Sequence, residues 1–266
     1  MSDFRGRRLA VVRAKIAAIE AGGMAGGGRE AGVLPFGIAA IDERLPGGGL
    51  ALGRWHEVTA AGMEAETAAA PTVFTALSVR PLARRGEVVW VLRRDDLWAQ
   101  GLAGLGFPAE RLIQVYARDE AEALSVMEDA LATVGVAAVV GEVEAVDLTA
   151  GRRLQLACER RGGTGFAIRR RPFGGTSRRE TGSAAATRWR VEAAPSEPAA
   201  GDFGLGAPRY RVELERCRGG RPGAWILEAD QAYSWEANDV AHPLRLVADL
   251  GDCELAPTQP ADRRAA

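Results

Sequence analysis

The sequence predicts a protein of the α/β class, with a mostly parallel central sheet flanked by helices. Its 266 residues are 47% hydrophobic, which suits one main globular core with appendages. Apolar runs of strand length alternate with helical patterns along the chain. The run at 87–92 is apolar without interruption, as in a strand that is buried on both faces of a parallel sheet.

The elements between residues 50 and 170 follow from local patterns. A glycine turn at 46–50 precedes the first of them, and Gly86 marks the end of the first long helix. The predicted order is strand 54–58, helix 68–84, strand 87–92, helix 95–105, strand 112–115, helix 119–134, strand 136–140, helix 148–161 and strand 165–169.

The second half of the chain predicts a C-terminal β-hairpin. Residues 187–191 and 210–217 alternate apolar and polar side chains, and the glycine-rich turn at 218–223 leads into a further strand at 224–227. Residues 170–182 and 192–208 read as loops.

Three regions are expected: a separate N-terminal helix with a glycine-rich linker at 1–32, a core at 33–229 and a flexible C-terminal tail at 230–266. Both ends carry partner-binding candidates, which are Leu9, Val12, Ile16 and Ile19 in the helix and Leu244, Leu246 and Leu250 in the tail. Two alternatives stay open, because the helix could fold back on its own core and the tail could cover the edge of that core.

Composition excludes several classes of protein. No apolar run is long enough for a membrane span and no signal peptide is recognisable, so we expect a cytoplasmic protein with no membrane partner. Cys158, Cys217 and Cys253 are widely spaced, which predicts packing residues and neither a disulfide framework nor a metal site. His56 is expected to be a packing residue, and Glu142, Glu144 and Asp147 to be solvated charges at the end of a strand.

Motif spacing points to a known family. Residues 34–42, the glycines at 47–49 and the segment 53–58 succeed one another as they do where the RecA core approaches its phosphate loop. With the patterns at 106–131 and 136–143, the chain resembles the RecA superfamily over roughly residues 34–228. Within that superfamily, the segments 34–37, 54–57 and 210–223 resemble the ImuA family.

The position of the phosphate loop lacks the chemistry of one. A phosphate loop needs two glycines for backbone N–H contacts, a lysine for the β and γ oxygens and a hydroxyl for Mg²⁺. Here Ala60 and Ala65 replace the glycines, Glu66 replaces the lysine, and Thr67 alone fits. Two like charges about 4 Å apart repel by roughly 4 kcal/mol near a protein surface, so Glu66 would oppose a bound nucleotide. The sequence predicts no cofactor, no metal and no catalytic residue.

A basic loop is the DNA-binding candidate. Arginines outnumber acids across residues 152–190. By resemblance to RecA, the loop lies where single-stranded DNA would be contacted, and its candidates are Arg169, Arg170, Arg171, Phe173, Arg178 and Arg179. A merely solvated surface loop is the alternative interpretation.

The resemblance implies a function without catalysis. An ImuA-type protein would be an accessory factor in SOS-induced mutagenic translesion synthesis. Its partners would be an ImuB-type inactive Y-family polymerase-like protein and an error-prone replicative-type polymerase complex, with RecA and single-stranded DNA as further candidates. The alternatives are a cell-division inhibitor of the SulA type and a DNA-dependent ATPase.

Overall fold

The computed structural model describes residues 32–60, 69–170, 183–198, 204–229 and 243–251. The strands are β1 (Val33–Leu34), β2 (Leu50–Ala51), β3 (Trp55–Ala60), β4 (Glu87–Leu92), β5 (Leu112–Tyr116), β6 (Val136–Val143), β7 (Thr164–Arg169), β8 (Thr187–Ala194), β9 (Arg209–Cys217), β10 (Gly223–Ala229) and β11 (Leu244–Gly251). The α-helices are α1 (Ala39–Asp42), α2 (Ala69–Val79), α3 (Ala99–Gly104), α4 (Glu120–Leu131) and α5 (Leu148–Arg161). Short 3₁₀ turns span Pro46–Gly48, Arg80–Arg84 and Ala109–Arg111.

The described strands form one large sheet and a small ribbon of β1 and β2. The large sheet has the order β11-β10-β9-β8-β3-β7-β6-β4-β5. All pairings from β8 to β5 are parallel, whereas β9, β10 and β11 are added antiparallel. The predicted α/β class with a mostly parallel central sheet is confirmed.

Helix ends follow local chemistry. Asp119 and Asp147 cap α4 and α5 by accepting hydrogen bonds from the backbone N–H groups of Glu122 (2.8 Å) and Ala150 (2.7 Å). Helix α5 ends at Gly162, whose φ of 78° is the left-handed conformation that glycine adopts without strain. Helices α4 and α5 each begin directly after a parallel strand, β5 and β6. The amino ends of these helices therefore lie at the same edge of the sheet as the carboxyl ends of the parallel strands, and we call it the carboxyl edge.

Two apolar layers enclose the sheet. On the α2 face, Trp189 lies between Phe36 and Phe74, with ring centroids 5.6 and 5.7 Å away. On the other face, α4 and α5 cover β3, β6 and β7 through Met127, Leu131 and other buried side chains. No described helix covers β8 to β11 on this second face, where the outward side chains are largely charged.

The predicted tail and the predicted terminal hairpin need correction. Residues 244–251 form β11, which pairs with β10 along Ala224–Ala229, so the hairpin is part of a three-stranded antiparallel extension. Leu244 is 5% exposed and Leu246 packs against the α2-side core. Apolar burial on the sheet outweighed the polar and Pro/Ala-rich surroundings of the segment. The predicted helix at 95–105 is also shorter than expected, since α3 begins at Ala99.

Candidate functional site

The carboxyl edge is where a nucleotide would bind by the resemblance to RecA. Ala60, the first residue of the degenerate phosphate loop, ends β3. Ala65, Glu66 and Thr67 lie outside the described residues. The geometry of the site therefore comes from the strands beside β3.

Glu142 on β6 is a buried carboxylate at this edge, with 3% of its side chain exposed. It accepts hydrogen bonds from Trp90 Nε1 (3.2 Å) and Arg170 Nε (2.8 Å). Arg170 also approaches Asp96, at 3.4 Å. Burial raises the pKa of Glu142, and the charge and hydrogen bonds of Arg170 oppose that rise. The predicted solvated charge is thus a buried ion pair.

The residue before Glu142 faces α4. A Cβ added to Gly141 would clash with the side chain of Met127, because α4 packs on β6 there. By the resemblance to the RecA superfamily, Gly141 stands where those proteins hold a magnesium-binding carboxylate. In this structure that position packs against α4.

A second buried ion-pair group, of three residues, lies on the face of the sheet opposite to Glu142. Glu57 accepts from Arg169 Nη1 (3.0 Å) and Arg188 Nε (3.1 Å). All three side chains are nearly covered, with 3% of Glu57 and 11% of Arg169 exposed. These two ion pairs link β3 to both of its parallel neighbours, β7 and β8.

Arg93 follows β4 and forms a third ion-pair group. Its Nη1 contacts Glu120 (2.9 Å) and Glu144 (2.8 Å). Glu120 also accepts the backbone N–H groups of Glu144 and Ala145, both at 3.0 Å. These bonds fix the turn after β6 against the first turn of α4.

The prediction that Arg169 and Arg170 contact DNA needs correction, because both guanidinium groups are largely buried and bound to carboxylates of neighbouring strands. Arg169 is the last residue of β7 and Arg170 follows it, so both lie beside the ends of β3 and β6. They therefore bind the buried carboxylates of these strands, although they belong to the arginine-rich segment. Arg171, Phe173, Arg178 and Arg179 lie outside the described residues.

Acidic groups dominate the described part of the carboxyl edge between β5 and β7. The arginines there are Arg93, Arg94, Arg118, Arg169 and Arg170, and the acids are Asp95, Asp96, Asp119, Glu120, Glu122, Glu142, Glu144 and Asp147. The excess of acidic side chains would repel the negative charge of a nucleoside triphosphate.

Comparison with known proteins identifies the family. Two curated proteins, each called Protein ImuA and from two strains of Caulobacter vibrioides, are 61% identical to this chain over 230 residues, which is 84% of this chain and 92% of theirs. The chain belongs to the ImuA family. No protein-family model matches the chain. Among solved structures, the crystal structure of SulA from Pseudomonas aeruginosa matches with a TM-score of 0.38 and 21% identity, over 43% of this chain and 96% of that one.

His56 of this ImuA-family chain is fully buried in a chain of hydrogen bonds. Trp189 Nε1 donates to Thr187 Oγ1 (2.7 Å), and Thr187 Oγ1 lies 2.8 Å from His56 Nδ1. Because the threonine hydroxyl then donates to Nδ1, the ring proton sits on Nε2 and is donated to the Ala51 carbonyl (2.9 Å). Burial lowers the pKa of His56 to about 4. Its role is structural, as the sequence predicted.

The partner-binding candidates and the cysteine Cys158 lie apart from the carboxyl edge or outside the described residues. Leu244 and Leu246 pack into the core and Leu250 is 40% exposed on β11, so the three do not form a single exposed stripe. Leu9, Val12, Ile16 and Ile19 lie outside the described residues. Cys158 is buried, and burial raises the pKa of its thiol to about 12.

Metal-binding clusters and membrane-spanning helices are both absent from the described residues. No group of histidine, cysteine and acidic side chains there could hold a metal ion. No helix in the same residues is long and apolar enough to span a membrane.

Sequence reasoning missed Glu57, Trp90 and Arg188, which the structure shows to be members of the ion-pair groups. For Glu57 the available signal was a charged residue inside the predicted strand 54–58, because a buried charge needs a partner of opposite sign. Arg188 gave no such signal, since its strand alternates apolar and polar residues.

Proposed function

We propose that this ImuA-family chain is a non-catalytic accessory protein in mutagenic translesion synthesis. In this proposal it acts with an ImuB-type inactive Y-family polymerase-like protein and an error-prone replicative-type polymerase. Family membership supports the accessory role. The observation that carries the absence of catalysis is the pairing of Glu142 with Arg170 at the carboxyl edge.

Charge explains why that pairing opposes nucleotide chemistry. A magnesium nucleotide needs carboxylate oxygens free for the metal and cations free for the phosphates. Arg170 already binds the buried carboxylate of Glu142, and Arg93 is bound to Glu120 and Glu144. Freeing Glu142 would break a buried ion pair, at a cost of roughly 3–5 kcal/mol. The charged side chains at this edge neutralise one another, so a scaffold protein with this edge needs no bound ligand.

Packing supports the same conclusion. Met127 fills the space that a carboxylate at position 141 would need. An acid there would require the side chain of Met127 to move out of the contact between α4 and β6.

The proposal is tested by complementation together with binding. A strain lacking the gene and carrying the wild-type chain should regain damage-induced mutation, and the tagged chain should retain the purified ImuB-type protein on a column. Glu66→Ala and Thr67→Ala should complement as well as the wild type, because no nucleotide is used. Loss of complementation by these two variants, at unchanged protein level, would refute the absence of catalysis. Failure of the wild-type chain to retain the ImuB-type protein would refute the accessory role.

A further inference from the structure

The edge of the sheet opposite to the carboxyl edge is rich in arginine. We call it the amino edge, and it consists of the residues that precede β3, β4, β5 and β7, the hairpin between β9 and β10, and the turn after α1 that touches this hairpin. Its arginines are Arg44, Arg54, Arg84, Arg85, Arg111, Arg160, Arg161, Arg218 and Arg221.

Carboxylates at the amino edge are fewer. Those on or within about one turn of it are Asp42, Glu43, Glu87, Glu110, Asp129, Glu159, Glu215 and Asp249. Glu159 is bound by Arg54, and Glu87 is bound by Arg111 at 2.7 Å. The described residues therefore give the molecule two unlike edges, with slightly more arginines than carboxylates where the parallel strands begin and excess negative charge where they end.

Four of these arginines are open to solvent and unengaged. Arg85, Arg160, Arg161 and Arg221 are exposed, and their side chains have no hydrogen-bond or carboxylate partner among the described residues. They come from different parts of the chain, namely the turn before β4, the end of α5 and the hairpin between β9 and β10. The fold brings them to the same edge, although they are far apart in sequence.

The spacing of strands sets the length of the basic surface. From the hairpin of β9 and β10 to β5 the sheet crosses six to seven strand intervals, or roughly 30 Å. One turn of B-form DNA measures about 34 Å. Between the hairpin and β3 the edge also has a small, shallow cleft, which is lined by Arg54, Gln155 and Arg218 among others.

We propose that the amino edge binds duplex DNA through the phosphate backbone, without reading sequence. Arginines spread over about one helical turn match the regular phosphates of a duplex. Single-strand binding would use aromatic platforms for the bases, but the exposed aromatic side chains of the described residues, Trp98 and Tyr116, lie away from this edge. The arginines proposed here are not the candidates of the basic loop, and the proposal does not depend on the proposed accessory role.

Fluorescence anisotropy of the full chain with a labelled duplex of about thirty base pairs, or three helical turns, tests the proposal. The variant combines Arg85→Ala, Arg160→Ala, Arg161→Ala and Arg221→Ala. We expect at least a tenfold weaker affinity at low salt. The dependence of log K on log salt should be shallower by up to about 0.9 per arginine removed. Circular dichroism checks that the fold is unchanged.

A matched control removes the same charge elsewhere. Arg118→Ala, Arg152→Ala, Arg153→Ala and Arg245→Ala change exposed arginines away from the amino edge, and this combination should weaken duplex binding less than threefold. Equal loss in the control would overturn the proposal, since net charge alone would then explain binding. Unchanged affinity in the amino-edge variant would overturn it as well. A single strand of equal length that is bound as tightly as the duplex, and weakened as much, would overturn the assignment to duplex DNA.

Discussion

His56 shows how one buried side chain makes stability depend on pH. Its ring is neutral in the fold because burial lowers its pKa to about 4, from the ordinary value of 6.5. In the unfolded chain it takes up a proton near pH 6.5. Its contribution to stability is therefore complete above that pH and is lost as pH falls toward 4.

We expect the free energy of unfolding to fall by roughly 1 kcal/mol between pH 7.5 and 5.5 on account of His56. Urea unfolding at both pH values measures this change. A His56→Gln variant should be less stable at pH 7.5, since the hydrogen bonds to Thr187 and Ala51 are disturbed, but should lack this part of the pH dependence. Identical pH dependence in the two proteins would contradict the assignment.

The pair of Glu142 and Arg170 predicts a large effect from a single substitution. Arg170→Ala leaves a buried carboxylate without its cation and should cost about 3–5 kcal/mol in the free energy of unfolding. Arg118→Ala is the control, because Arg118 is 85% exposed and solvent screens its pair with Glu122, so its loss should cost little. Combining Arg170→Met with Glu142→Leu should recover most of the loss. A cost for Arg170→Ala no larger than that of the control would show the pair to be unimportant.

At the scale of elements, β11 makes the C-terminal region part of the folded sheet. Leu244 is 5% exposed on this strand and Leu250 is 40% exposed. Leu244→Ala should therefore cost about 2–5 kcal/mol in the free energy of unfolding, as for other buried leucines, and Leu250→Ala less than about 1 kcal/mol. Chemical denaturation of both variants compares them. Similar small costs would indicate a dispensable tail.

Local pattern was enough for most elements of the parallel region. Helix α4 was predicted from its apolar spacing and begins after the capping Asp119, while β4 was predicted from its unbroken apolar run. Strand β11 was missed, although Leu244 and Leu246 alternate as a strand requires. Its neighbour β10 is the sole described pairing partner, so its structure depends on a contact that the local sequence does not specify.

The site could be predicted less well than the fold. The substitutions at 60–67 are visible in the sequence, but the pairing of Arg170 with Glu142 depends on β6 and β7 lying side by side. An arginine at the start of a basic loop gives no local signal that it turns inward. Ion pairs between strands follow from the tertiary arrangement, which explains why Arg169 and Arg170 were misjudged.

At the scale of the whole molecule, the carboxyl edge should reject nucleotides. Isothermal titration of the full chain with Mg-ATP should give no micromolar binding. Glu66→Lys should not restore binding, because Arg170 still binds Glu142 and Gly141 still faces Met127. A titration with an active RecA-type ATPase serves as the positive control. Micromolar binding by the wild-type chain would contradict a ligand-free scaffold.

The connection from β7 to β8 is held firmly at both of its ends. Arg170 donates its backbone N–H to the Val143 carbonyl at 2.7 Å, and the Ser183 carbonyl accepts a hydrogen bond from Arg216 at 2.6 Å. These two contacts fix the residues on either side of segment 171–182 and do not depend on the length of that segment. Loop-closure entropy grows slowly, by about 0.6 kcal/mol for each doubling of length. A peptide tag as long as this segment could therefore be inserted there at little cost in stability, which would give a labelling point between two fixed strands.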